Sequence, residues 1–249
     1  MNDRKLISIW SGPRHGASEL LYAFAQRRDT EAIDRPFWGY FLRVSGSTHP
    51  AKEEILSSMT LHANPIVSNQ ILTPLKQSIR CVRFMTHHLL GLDLSFLEEI
   101  THHIFMIRRP HQVVSRLSGD MIQADQLLES YKMQYDLFKY LTHKDIKPLV
   151  IDANMMHEEP KSALQMICSY CEVPFEKSMQ ERKPMADFIQ AQEGSWNQDF
   201  AHHQGGRSFT QPEGSLEEAL AKCSEYYLNM LAEARLPQCP QERKSYMVA

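Results

Sequence analysis

Leu6-Ile7-Ser8-Ile9-Trp10-Ser11-Gly12-Pro13-Arg14-His15-Gly16-Ala17-Ser18-Glu19-Leu20-Leu21 is the stretch on which the reading of this chain turns. The apolar run Leu6 to Trp10 is too short for a helix and is stopped by Ser-Gly-Pro, which predicts a buried strand. Leu20, Leu21, Phe24 and Ala25 then share one face at helical spacing, and Gln26, Arg27 and Arg28 are expected to close that helix's last turn, where cations suit its dipole. Between strand and helix, Gly12 and Gly16 allow positive φ and a backbone folded with its N–H groups inward, and Ser18 can bring a hydroxyl to the same point. A strand, such a loop and a helix N-terminus together cradle phosphate without a metal, and Arg14 adds a permanent charge. The same residues also suit a plain strand-to-helix turn with a surface arginine.

An ATP-type loop needs G-x-x-x-x-G-K-[S/T], with the lysine on the β- and γ-phosphates and the hydroxyl on magnesium. Here Gly12 and Gly16 stand one residue too close, and Ala17-Ser18 occupies the Lys-Ser/Thr position. Magnesium-dependent phosphoryl transfer is therefore disfavoured.

Outside this loop, composition sets bounds. A chain of 249 residues with 43% hydrophobic and 23% charged residues is expected to form one α/β domain over residues 1–235, followed by a loose tail at 236–249. A formal charge of −3 offers no general attraction to nucleic acid or to an anionic membrane surface, so any polyanion site must be local. No apolar run reaches the length of a membrane span and no signal-peptide core opens the chain, so a soluble, cytoplasmic protein is expected, as monomer or homodimer. Five cysteines suit reduced thiols, and Cys168 and Cys171, spaced C-x-x-C in a helical stretch with no second pair, read as core.

Strands are predicted at 5–10, 30–34, 79–85, 103–107 and 148–152, separated by helices. This pattern indicates a mostly parallel central sheet flanked by helices on both faces, with ligands beyond the carboxyl ends of the strands. Three charge-bearing motifs fall at such ends: Arg14 in the first loop, Thr86-His87-His88 after the third strand, and Arg108-Arg109-Pro110 after the fourth. Arg35-Pro36-Phe37-Trp38-Gly39-Tyr40-Phe41 reads as an aromatic pocket wall or an aromatic core patch. Residues 50–78 read as amphipathic helices divided at Asn64-Pro65, 121–142 as a long helix, Glu159-Pro160 as a helix start, and Ser215 to Arg235 as a terminal helix with capping-box spacing at Ser215 and Glu218. Asp152, after the last strand, imitates a magnesium-binding acid but lacks a Lys-Ser/Thr partner. His87 and His88 in extended backbone would point opposite ways, which argues against zinc, and His102-His103 and His202-His203 also lack metal spacing. No metal is expected.

Pro13-Arg14-His15-Gly16-Ala17-Ser18 resembles the loop that binds the 5′-phosphosulfate in sulfotransferases, and Trp10-Ser11-Gly12-Pro13-Arg14 is most similar to the bacterial and plant sulfotransferase-like branch. His15 and Ala17 depart from that pattern by each removing a hydroxyl. The resemblance implies a P-loop-containing nucleotide-binding fold with 3′-phosphoadenosine-5′-phosphosulfate (PAPS) as sulfuryl donor. Gly12 to Ser18 would hold the 5′ end. Thr86-His87 resembles the family's Thr-His pair, which implies that His87, or else its neighbour His88, is the base toward a hydroxyl or amine of a small-molecule acceptor. Histidine suits that task because its ordinary pKa is near neutrality. Arg108-Arg109-Pro110 through Ser115 resembles the segment that grips the 3′-phosphate, which implies Arg108 with either Ser115 or Arg116 in place of the family's serine. Arg207 matches a late basic loop over the same phosphate. Arg35 stands where the branch has an acid, and would favour an acidic acceptor if it faced the pocket. The alternatives are a P-loop small-molecule kinase-like phosphotransferase using Arg14 and Asp152, and a catalytically inactive nucleotide-binding relative.

Overall fold

The computed structural model describes residues 4–115, 124–181 and 216–233. Five strands, β1 (Lys5–Ser11), β2 (Thr30–Asp34), β3 (Ile79–Met85), β4 (His102–Ile107) and β5 (Leu149–Asp152), form one sheet in the order β2-β3-β1-β4-β5. Every pairing is parallel. All five predicted strands are present within a residue of their expected bounds, and each is short and closed by a turn residue or a charge.

Alternation along β1 decides which helix lies on which face. Leu6 and Trp10 pack with Phe84, Phe105 and Val150 against α6 (Ala124–His143), through Leu127, Tyr131 and Phe138, and against α9 (Leu216–Glu233), through Cys223, Tyr227 and Met230. Ile7 and Ile9 face the other way with Ile104 and Ile151, onto Leu20, Leu21 and Phe24 of α1 (Ala17–Ala25) and Leu164 and Ile167 of α8 (Pro160–Tyr170). Helices thus cover both sides of a parallel sheet, as its doubly apolar strands require. Cys168 and Cys171 are buried thiols in this second layer, and burial pushes Cys168 up to about 11. No helix among the described residues is long and apolar enough to cross a membrane.

Several local expectations are corrected. Helix α1 ends at Ala25, so Arg27 does not serve its dipole. Arg27 is buried instead, holding Asp29 through two hydrogen bonds and Glu176 at 3.1 Å. The aromatic stretch after Pro36 is a helix, α2 (Trp38–Ser45), followed by α3 (Lys52–Ser58). Asn64-Pro65 does not divide the next segment. It lies in the first turn of α4 (Ala63–Ile66), where proline's missing N–H is no loss, and the chain continues into a π-turn over Val67–Ile71. Thr86–Leu89 is a 3-10 turn, so His87 and His88 do not diverge as in a strand; their rings meet edge to face with centroids 4.5 Å apart. Helix α5 (Pro110–Ser115) follows β4, and α7 (Ala153–Glu158) follows β5. Ser215, its capping-box role, Arg235 and the proposed tail lie outside the described residues.

Candidate active site at the tips of β1, β3 and β4

The chain leaves β1 toward β2 on one side and leaves β4 toward β5 on the other. The crevice between β1 and β4 is therefore the point where the winding reverses, which is where open parallel sheets place ligands. Register brings the tips level: Ser11 lies opposite Met85 of β3 and Met106 of β4. The loop Gly12–Gly16, the Thr86 turn and Arg108 consequently begin side by side.

The loop's backbone is specialised. Gly16, the residue before α1, has φ +84°, and Arg14 holds φ +64°, a left-handed conformation that costs a non-glycine residue about 1–2 kcal/mol. Such outliers persist where the surroundings over-determine them. Gly12 is fixed by crowding, since a Cβ there would come 2.6 Å from Ser130 Oγ and 2.9 Å from His15 Cε1. The result is a concave turn opening onto the first amides of α1, for which a helix has no internal carbonyl.

Cations close the concavity. The Arg108 guanidinium lies against Gly16, 3.0 Å from where a Cβ would stand. Arg14 is half-buried, and its enclosed Nε has no hydrogen-bond partner among the described residues, an arrangement an anion would complete. These features fit a bound phosphate or phosphosulfate. Arg108 is placed by β4 and by α6, whose Tyr131 hydroxyl donates to the Arg108 carbonyl at 2.6 Å. Gln134 donates to the carbonyl of Met106 at 2.8 Å and to that of Trp10 at 3.4 Å, tying the ends of β4 and β1 together.

His15 is turned away from the concavity. Its ring packs on Tyr131, its Nδ1 accepts from the Gly12 amide at 3.3 Å, and burial, with help from the Arg108 charge, pulls its pKa down to about 4. Its share in any anion site is its backbone amide, while the neutral imidazole braces the loop from beneath. Ser18, in the first turn of α1, accepts a hydrogen bond from Arg83 Nη1 at 2.8 Å. Arg83 is itself gripped by Asp34 through Nε at 2.5 Å and Nη2 at 2.8 Å, a pair set by their register in β3 and β2. Burial opposes charge on Asp34, but the Arg83 and Arg35 guanidiniums outweigh it and hold the carboxyl at about 2.

Arg35 does not present its charge to a pocket. At φ +46° it folds back, bonds Asp34 at 2.9 Å and lays its guanidinium on the Trp38 ring, 4.2 Å from the centroid. The condition for reading an acidic acceptor from it is not met. Asp152 accepts from the Asn154 amide at 2.7 Å as the cap of α7 and from the Tyr227 hydroxyl. Its carboxylate is thus spent on the fold.

Beside the loop, His87 is half-buried and His88 buried. Phe41 meets the first edge-on and stacks on the second at 4.9 Å. Burial lowers His87 to about 4, and lowers His88 further with the neighbouring His87, Arg35 and Arg83 charges adding to it. Among the described residues, the enclosed Thr86 Oγ1, His87 Nδ1 and His88 Nδ1 have no hydrogen-bond partner. His103, by contrast, is structural: its Nδ1 lies 2.9 Å from Ser8 Oγ and accepts from Trp10 Nε1 at 3.1 Å.

The Gly12–Ser18 loop, with Pro13 and Ala17, is therefore brought together with Arg108, and the turn that carries His87 starts level with it, since Ser11 pairs with Met85. Among the described residues no contact brings Ser115 in; it is exposed, and its hydroxyl bonds the Gln112 carbonyl one turn back. Arg116 and Arg207 lie outside the described residues. The contributions of Arg83, Ser130, Tyr131 and Gln134 were missed from sequence. The available signal was polar residues at helical spacing, Ser130 and Gln134, on the apolar stripe of Leu127, Tyr131 and Phe138, and an arginine within a buried strand.

Comparison with known proteins bears on the family and the fold. The chain is 32% identical over 177 residues to the branched-chain-amino-acid aminotransferase-like protein 2 of Arabidopsis thaliana, and 30% identical over 181 residues to protein 1 of the same name. These matches cover 70% and 72% of the chain but 31% and 32% of the relatives, so the chain spans about a third of their length. The fold is similar to that of the sulfotransferase domain from the curacin biosynthetic pathway, with TM-score 0.53 and 12% identity over 94% of this chain and 99% of that one. A sequence profile described as the sulfotransferase domain runs from β1 into α9, over residues 5–232, and the chain belongs to that family.

Proposed function

We propose that the chain transfers a sulfuryl group from PAPS to a hydroxyl or amine of a small-molecule acceptor. The observation that carries this reading is the seating of the Arg108 guanidinium directly on Gly16 of the Gly12–Ser18 loop. Two permanent cations, Arg14 and Arg108, meet a helix N-terminus at a winding reversal, which suits an anionic group of a nucleotide. PAPS supplies an activated sulfuryl group and, at its other end, a 3′-phosphate. In this reading Gly12 to Ser18 hold the 5′ end through backbone amides, Arg14 offsets the charge that grows on the bridging oxygen, and Arg108 reaches toward the nucleotide's phosphates. Arg116 and Arg207 remain proposed partners for the 3′-phosphate.

His87 is the proposed base, with His88 behind it. Being the less enclosed of the pair, His87 can meet an acceptor, and its lowered pKa keeps the imidazole unprotonated throughout the neutral range. The weaker basicity is compensated as negative charge develops on the transferring group beside it, which raises the ring's proton affinity. A kinase-like reading has less support, since Asp152 is committed to capping α7 and to Tyr227.

The test is a transfer assay with PAPS and a panel of phenols, alcohols and amines, scored by release of adenosine 3′,5′-bisphosphate. Turnover that falls about 10²–10⁴-fold in His87→Ala supports the reading. Magnesium-dependent consumption of ATP with no turnover of PAPS would establish the phosphotransferase alternative. Bisphosphate binding without turnover of any acceptor would favour an inactive relative.

A further inference from the structure

A serine hydroxyl has one proton to give and two lone pairs to receive. At Ser18 one lone pair is taken by Arg83 Nη1 at 2.8 Å, so the proton is directed away from Arg83, and the neighbouring positive charge makes it a better donor. Ser18 lies in the first turn of α1, at the rim of the loop that Gly12 and Gly16 shape. Arg83 has little freedom to move. Asp34 holds its Nε and Nη2, and the pairing of β2 with β3 sets Asp34 opposite it.

Arg83 also stands toward the histidine pair. It lies two residues before Met85, on the same face of β3, just ahead of the turn that carries His87 and His88, and its charge is felt at His88. One guanidinium therefore meets the anion loop at Ser18 from a strand that leads into the histidine turn, although Arg83 belongs to neither motif.

We infer that Arg83 is a positioning residue for the donor: clamped by Asp34, it orients the Ser18 hydroxyl so that its proton is given to the 5′-phosphate of the bound nucleotide. The inference rests on the sulfotransferase reading above. It assigns Arg83 no contact with the nucleotide and makes a selective claim, that Arg83 acts on the 5′ end through Ser18 alone.

Calorimetric titration of the full chain with adenosine 3′,5′-bisphosphate and with adenosine 3′-monophosphate tests it without turnover. Ser18→Ala and Arg83→Gln are each expected to weaken the bisphosphate by about tenfold, the scale of one charge-assisted hydrogen bond. Neither should change affinity for the 3′-monophosphate, and the double variant should lose no more than either single one. In steady state the same variants should raise KM for PAPS more than they lower kcat. Arg83→Lys guards against a folding defect. An ammonium can stay paired with Asp34 but cannot fork to Ser18 as well, so this variant should melt like the wild type yet bind the bisphosphate like Ser18→Ala.

Additive losses in the double variant, equal losses for both nucleotides, or wild-type affinity in a folded Arg83→Lys would each overturn the inference. If the wild type binds neither nucleotide, the sulfotransferase reading itself fails, and that outcome is distinct from a failure at Arg83.

Discussion

Gly16→Ala separates backbone strain from the contact that defines the site, because Gly46 provides a matched control. Both glycines are left-handed, at φ +84° and φ +65°, but a Cβ at Gly46 meets nothing within 4 Å among the described residues. At either position alanine incurs about 1–2 kcal/mol of backbone strain. Part of this is offset by the reduced entropy of the unfolded chain, about 0.4–1 kcal/mol. Gly46→Ala should therefore cost about 1 kcal/mol, or about 2–4 °C in Tm for a chain of this size. Gly16→Ala carries the same backbone cost, and in addition its methyl would lie 3.0 Å from Arg108 Nη2 and 3.3 Å from Ala153 Cβ. Helix α7 is packed behind Ala153, so the guanidinium is the group that moves. Thermal melting paired with calorimetry of adenosine 3′,5′-bisphosphate reads both effects. Similar losses of Tm are expected for the two variants, with affinity about tenfold weaker only in Gly16→Ala. Equal affinities in the two variants would show that the Arg108–Gly16 contact has no part in binding.

Arg14→Ala and Arg14→Gly should both abolish efficient transfer by removing the loop's own cation. Arg14→Gly should melt about 1–4 °C above Arg14→Ala, since only glycine relieves φ +64°, and equal melting points would show the strain to be negligible. Acid should destabilise the fold well before carboxylates protonate. His15 and His103 are buried with pKa values near 4 against 6.5 when exposed, so between these pH values the unfolded chain binds protons that the native state refuses. Stability is then complete above about pH 6.5 and declines by about 1.4 kcal/mol per pH unit for each such histidine as pH falls toward 4. Urea unfolding at pH 7 and pH 5 reads the slope, and an unchanged midpoint would show the rings to be solvated. His87→Ala and His88→Ala should differ in kind. The first should lose kcat with little change in bisphosphate affinity; an equal or greater loss of kcat in His88→Ala would move the proposed base to residue 88.

The sheet was legible in the sequence because most of its strands are short, largely apolar runs with clear stops: Ser11-Gly12-Pro13 ends one, Thr86 another, Arg108 a third. The first loop was legible for the same reason, since glycine and proline state their backbone constraints locally. What remained hidden depends on partners distant in sequence. His15 looks like a loop ligand until Tyr131 is found beneath it, more than a hundred residues later. Arg83 looks like an ordinary strand charge until the register sets Asp34 beside it and α1 brings Ser18 within reach. Arg35, whose sign is reversed from the resembled branch, is absorbed by Asp34 and Trp38. The two histidines were misplaced by a single local choice, a strand end in place of a 3-10 turn, which changed their geometry from divergent to touching.

The central claim is that Arg14 and Arg108, seated on one glycine-bounded loop, grip a nucleotide phosphorylated at both its 3′ and 5′ positions. Calorimetry of the wild type and Arg108→Ala with adenosine 3′,5′-bisphosphate and with ADP, with and without magnesium, tests it most directly. Tighter binding of the bisphosphate, indifferent to magnesium and lost on removing the guanidinium, is the predicted result. Preference for ADP that depends on magnesium, or a bisphosphate affinity untouched by Arg108→Ala, would contradict it.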